Sequence, residues 1–262
     1  MSDLLLSGLN GNNMLAYLAA LGTIRACSLM WPEEDVRLKW AIFEGAWRPI
    51  LSVNHKIDHD EFLYRLNSHL QNSNTEVFSI SDNLTISCSD YRGYLLKAQQ
   101  KATFSDKSFT DYLAAFGSEI IEAEKNGKRT GQIADTALRT MSGAGHQHFL
   151  GFMRELIINT NENHLRDSLF NAWHYSDPGP SMRWDLNDDR RYALRWKEPS
   201  GDRILTMRGA NRLAIEAMPL MPIAPVRNRL ETTGFTQEKK KAFIGLGPYG
   251  REASLPIRFV QY

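Results

Sequence analysis

Two groups of side chains have spacing suited to metal chemistry. His146 and His148 form a His-X-His pair. On an extended segment both rings face one side and suit zinc or another transition metal. At a helix start they point apart, and GAGHQHFLGFMREL reads as a glycine turn entering a helix, with no third ligand close in sequence. Asp185, Asp188 and Asp189 are the second group, an acidic set of the kind that holds magnesium in nucleases. Arg190 and Arg191 follow directly, so ion pairing within the segment accounts for the same residues. Ser142 lacks the Gly-X-Ser-X-Gly elbow of a hydrolase. The Ser142–Gly145 turn has no Gly-Lys-Ser/Thr after it and no clear strand before it, so it is not a nucleotide fingerprint. No other spacing in the chain suits catalysis, and no cofactor is expected.

The segment SMRWDLNDDRRYALRW suits a polyanion better. It interleaves Trp184, Tyr192 and Trp196 with Arg183, Arg190, Arg191 and Arg195. Guanidinium groups pair with phosphates and aromatic faces stack on bases. Buried aromatics with solvated or ion-paired arginines are the alternative. Charge leans the same way: residues 181–262 hold 15 Lys and Arg against 9 Asp and Glu, which leaves 16 against 21 in residues 1–180. A basic third on a near-neutral chain is a local footprint for nucleic acid, or a surface for the protein's own acidic part. The expected nucleic-acid contacts are Arg183, Arg190, Arg191, Arg208, Asn211, Arg212, Arg227, Arg229, Lys239, Lys240 and Lys241.

The elements that must position these residues centre on 208–233, RGANRLAIEAMPLMPIAPVRNRLETT. Leu213–Leu220 is apolar apart from Glu216, and Pro219, Pro222 and Pro225 stop any helix near Met218. At the other end of the chain, Asn12 or Asn13 caps an almost wholly apolar helix from about Met14 to Leu29. Neither apolar element can face water, so the two are expected to share one core with Gly22 at a close contact. Arg208, Asn211 and Arg212 would then form a polar rim with the Asn10–Asn13 loop.

Between these ends, period-2 alternation over 36–42 and a second strand at Trp47–Val53 predict a hairpin. Pro49 is expected to place the second strand at a sheet edge or interrupt it. A helix is predicted at 60–70, a strand at 84–88, and helices near 90–102 and 108–124. A basic loop is expected at 125–131, then helix over much of 132–173. Strands are predicted at 229–233, 242–246 and 255–261. The expected fold class is α+β, a largely helical centre with short antiparallel strands in the N-terminal hairpin and the C-terminal third. The expected organisation is one unit over 1–262. Asp177-Pro178-Gly179-Pro180 is the linker along which it would subdivide, into a mainly helical 1–176 and a basic 181–262.

At 262 residues with 42% hydrophobic and 23% charged content, the chain has a globular composition. Cys27 and Cys88 alone suggest neither a disulfide framework nor a thiolate cluster. No apolar run reaches the ~18–20 residues of a bilayer span. The start, MSDLLLSGLNGNN, lacks the basic segment of a signal peptide, so a cytoplasmic location is expected.

Four stretches, GLNGNNMLAYLAALGTIRA (8–26), GAGHQHFLGFMREL (143–156), RWDLNDDRRYALRW (183–196) and GANRLAIEAMPLMPIAP…RLETTGF (209–235), resemble a family of CRISPR-associated proteins of type I-G (formerly I-U) systems. That family is related to, fused with or encoded beside the helicase-nuclease of these systems, and is likened to a reduced large subunit. Its opening reads Gly/Asp-X-Asn-Pro-Leu-X-Phe-Leu-Ala-Ala-Leu-Gly; here Met14 replaces the Pro and Tyr17 the Phe. The ending rich in Phe-Thr-Trp-Pro-Leu-Trp is replaced by KKKAFIGLGPYGREASLPIRFVQY. The resemblance implies a non-catalytic, nucleic-acid-binding subunit or accessory of a DNA-targeting antiviral complex. Its partners would be DNA, guide RNA, the backbone subunits and the helicase-nuclease, with no membrane. It carries no residue-level roles. The alternatives from other classes are a metal-dependent nuclease of the same defence system, using Asp185, Asp188 or Asp189 with His146 or His148, and a protein-only scaffold.

Overall fold

Because Asn13 precedes an almost unbroken apolar run, the first long helix begins there. In the computed structural model, which describes residues 2–104, 106–140, 148–185, 205–227, 229–238 and 241–244, α1 spans Met14–Met30. The Asn13 side chain accepts from the backbone N–H groups of Leu15 and Ala16, satisfying two of the donors a helix start leaves open. The fold is α+β, with helices interspersed among small antiparallel sheets. Among the described residues no helix is long and apolar enough to cross a membrane. The chain gathers into two compact units, each built from separated segments.

The first unit takes the residues up to Asn72 together with Glu155–Ala217. Its sheet has the order β1 (Ser2–Leu5), β3 (Ala46–Val53), β2 (Arg37–Phe43), all antiparallel. Leu4, Leu38, Trp40, Leu51 and Val53 fill its buried face, where Trp40 stacks on Tyr17 of α1. Pro49 therefore lies in the central strand, not at an edge. The Leu6 amide donates to the Pro49 carbonyl, so Pro49 turns its backbone polar side toward β1 just beyond Leu5, where that strand has ended. The missing N–H costs no ladder bond there.

Helices α2 (His59–Gln71), α6 (Glu162–Phe170) and α7 (Arg208–Ala217) complete this unit around α1. Asp58 caps α2, and a capping box of Asn161 with His164 opens α6. The two apolar elements from opposite ends of the chain do share a core, since α1 lies along α7. Glycine permits the close approach twice. A Cβ on Gly22 would sit 1.7 Å from the Leu213 carbonyl oxygen, and one on Gly209 would sit 2.1 Å from that of His164 in α6. α7 ends at Ala217 and a 3-10 turn, Met218–Leu220, follows, as the proline spacing requires. The Asp177–Pro180 stretch lies within this unit, where β6 (Asp177–Pro178) pairs with β7 (Leu205–Thr206).

The second unit comprises Ser73–Arg154 and, among the described residues, the chain from Met218 to Ile244. It contains α3 (Cys88–Lys101), α4 (Ser108–Phe116) and three hairpins. These are β4 (Gly117–Lys125) with β5 (Lys128–Asp135), β8 (Ile223–Val226) with β9 (Arg229–Thr232), and β10 (Phe235–Glu238) with β11 (Lys241–Ile244). Phe78, Tyr112 and Phe116 cluster in its core, and the Tyr91 hydroxyl donates to the Leu113 carbonyl. α5 (Phe149–Asn159) follows in the chain; its Arg154 donates to the carbonyls of Phe78 and Ser81.

Three expectations are corrected here. The helix expected over 108–124 stops at Phe116, and residues 117–135 form a hairpin in place of helix, basic loop and helix. Asn126 and Gly127 both have positive φ, at 54° and 72°. That is a two-residue primed turn, which overrides the helix-forming Glu and Ala of β4. The strand expected at 84–88 reduces to one bridge between Ser87 and Gln132, because Ser87 caps α3 through the Asp90 amide. The strand expected at 255–261 lies outside the described residues, as does the Ser142–Gly145 turn.

Candidate nucleic-acid interface

Arg183, Arg208, Asn211 and Arg212 were expected to contact nucleic acid, and the described residues around them, 182–185 and 205–217, pack inside the first unit. Trp184 is 1% exposed, a core residue and not a stacking surface. Its neighbour Asp185 is buried at the start of α1, where its carboxylate accepts from Asn13 Nδ2 at 2.9 Å and the Tyr175 hydroxyl at 3.1 Å. A carboxylate at a helix N-terminus is also favoured by the helix dipole. Asp185 therefore ties the Asn10–Asn13 loop to the chain before α7. Arg183 is half-buried, with a left-handed backbone at φ 59°.

Asn211 and Arg212 are buried too, which corrects their expected place on a rim. Asn211 Oδ1 accepts from the Met182 amide at 3.0 Å, and its Nδ2 donates to Thr206 Oγ1 and the Met207 carbonyl. Asn211 thus fastens Met182, Thr206 and Met207 to α7. Arg212 Nη1 pairs with Glu216 Oε1 at 2.8 Å, and its Nη2 donates to the Leu70 carbonyl at 3.1 Å. From α1, Arg25 Nη1 reaches Glu216 Oε2 at 2.5 Å. One carboxylate joins two guanidinium groups in the seam between α1 and α7. Burial opposes the charge on Glu216, yet Arg212 and Arg25 together hold its carboxyl below the ordinary value. Burial pushes the nearby His69 imidazole down; Glu216 opposes this, and the two arginines add to it. Arg212 is therefore part of the fold's interior, and its loss would strand part of a buried charge.

Arg208 is half-buried and holds backbone in place. Its Nη2 donates to the Pro178 carbonyl at 2.7 Å and its Nη1 to that of Asn159, while its amide donates to Asp177 Oδ2. In the second unit, Arg227 is exposed in the β8–β9 turn and Arg229 is exposed beside Glu231. Such an exposed pair contributes about 0–1 kcal/mol, so Arg229 is cheaply redirected to a phosphate. Lys241 lies in β11. Arg190, Arg191, Lys239 and Lys240 lie outside the described residues, as do His146, Asp188 and Asp189. His148 is exposed just before α5, and no cluster of three metal-ligating side chains occurs among the described residues.

The candidate contacts therefore separate into two kinds. Asn211, Arg212 and Arg208 hold the fold together, whereas Arg227 and Arg229 face solvent. The buried ion pairs had a readable signal that sequence reasoning missed. Arg25 is the one charge in α1, Glu216 is the one acid in its apolar segment, and the two segments were expected to share a core. Opposite charges isolated in two packed apolar elements must meet. Comparison of the chain with protein-family models, with curated proteins and with solved structures finds no match to any of them.

Proposed function

We propose that the chain is a non-catalytic, nucleic-acid-binding subunit or accessory of a type I CRISPR antiviral DNA-targeting complex, acting in the cytoplasm. The observation that carries this reading is a convergence. Residues from three of the four stretches that resemble the type I-G family, 8–26, 183–196 and 209–235, meet in the first unit: Asn13 with Asp185, Gly22 with Leu213 and Arg25 with Glu216. Resemblances due to chance composition have no reason to meet in one core. The polyanion part of the reading rests on the net positive charge of residues 181–262 and on the exposed Arg227 and Arg229. Its partners on this reading are DNA, guide RNA, the backbone subunits and the helicase-nuclease.

The test is purification from the native host, followed by identification of the bound protein and nucleic acid and by titration of DNA binding against salt. Co-purification with RNA-guided subunits and a steep loss of DNA affinity with salt are expected. A chain that binds neither such subunits nor DNA refutes the reading.

A further inference from the structure

The three-stranded sheet of the first unit is two-faced, and its outer face is not apolar. Residues opposite the core alternate along the strands: Arg37, Lys39, Ala41 and Phe43 on β2, with Arg48 and Ile50 beside them on β3. Arg37 and Phe43 are exposed, and Lys39, Arg48 and Ile50 are half-exposed. Residues two apart on a strand stand about 7 Å from each other, so β2 carries two cations and an aromatic ring in one row. Asp3 on β1 is the acid of this face, bonded to Lys39 Nζ at 2.6 Å and to the Ser52 hydroxyl. Asp35 pairs with Arg37 from the strand end. Both pairs are about half-exposed, so water screens them and either acid is readily exchanged for a phosphate. Arg48 makes no ion pair among the described residues.

We propose that this sheet face binds single-stranded nucleic acid, with Arg48, Lys39 and Arg37 on phosphates and the Phe43 ring stacked on an unpaired base. An open antiparallel face with cations and an aromatic matches the way single strands are held, and stacking on Phe43 needs a base outside a duplex. The inference rests on the nucleic-acid reading of the whole chain but assigns the contact to residues of β2 and β3 and not to the basic C-terminal third.

Fluorescence anisotropy of the full chain with labelled oligothymidine, oligouridine and a duplex of equal length tests it. The double variant Phe43→Ala with Arg48→Glu is expected to lose single-strand affinity by about tenfold or more. Phe43→Leu, which keeps apolar volume without a stacking ring, should lose part of it with an unchanged circular dichroism spectrum. In a second protein Arg227, Arg229, Lys239, Lys240 and Lys241 are changed to Gln. If this protein loses single-strand binding while both sheet variants bind as the parent does, the sheet assignment is overturned and the reading of the whole chain stands. A duplex bound as tightly as the single strands overturns the single-strand assignment. If the parent chain binds no nucleic acid, both fall together.

Discussion

Gly22 of α1 and Leu213 of α7 touch through their backbones: a Cβ on Gly22 would lie 1.7 Å from the Leu213 carbonyl oxygen and 3.1 Å from the Ala217 nitrogen. The obstructing atoms belong to a helix backbone, so no side-chain rotation relieves the clash. Gly22→Ala is expected to push the helices apart and destabilise the protein by about 1–3 kcal/mol, and Gly22→Leu by more. Chemical denaturation read by circular dichroism measures both. A Gly22→Ala protein as stable as the parent would contradict the packing.

Removing the carboxylate of Glu216 leaves Arg25 and Arg212 buried beside each other without their shared anion. Glu216→Gln is expected to cost about 3–5 kcal/mol, the range for breaking a buried pair. Arg212→Ala should also destabilise strongly, because it removes the bond to the Leu70 carbonyl as well as the pairing with one carboxylate oxygen. Replacing all three charges by apolar residues of similar volume should recover part of the loss. Thermal unfolding of the three proteins orders these effects.

Stability should fall as the solution becomes acidic, in two stages. His69 has a folded pKa below its ordinary value, mainly through burial, so the unfolded chain binds its proton first. Its contribution is complete above about pH 6.5 and is lost as pH falls through the lower folded value. Glu216 is also held below its ordinary value by Arg212 and Arg25 against the effect of burial. Its contribution is therefore lost at lower pH, as the carboxylate protonates in the fold. Melting temperatures measured against pH should show the upper stage flattened in His69→Gln. A parent curve level from neutral pH to about pH 5 would rule out the upper stage.

Arg227 and Arg229 should behave unlike Arg212 in binding assays. Changing both exposed arginines to Gln is expected to weaken DNA binding and to flatten its salt dependence, the log–log slope falling by about 0.9 for each duplex phosphate no longer neutralised. Stability should stay within about 0.5 kcal/mol of the parent's, as for surface substitutions elsewhere. Affinity measured at several salt concentrations decides this, with denaturation as the control.

The sequence alone determined the elements whose signals are local. Asn13 before an apolar run placed α1, the prolines at 219, 222 and 225 ended α7, and period-2 alternation drew β2 and β3. The meeting of α1 and α7 was also legible, since each is too apolar to face water and Gly22 marks a close approach. What only the tertiary structure decided is which charged residues face solvent. Arg212, Asn211 and Arg227 are alike in sequence as polar groups beside an apolar segment. Yet the α1 and α6 neighbours of α7 enclose the first two, while the β8–β9 turn exposes the third. Residues 117–135 show the same division: helix-forming Glu and Ala favour one state locally, and the Asn126-Gly127 turn with its cross-strand pairs imposes another. Charge and propensity are properties of a residue, whereas burial and pairing belong to its neighbours, and those are set by chain segments up to 191 positions away, as for Arg25 and Glu216.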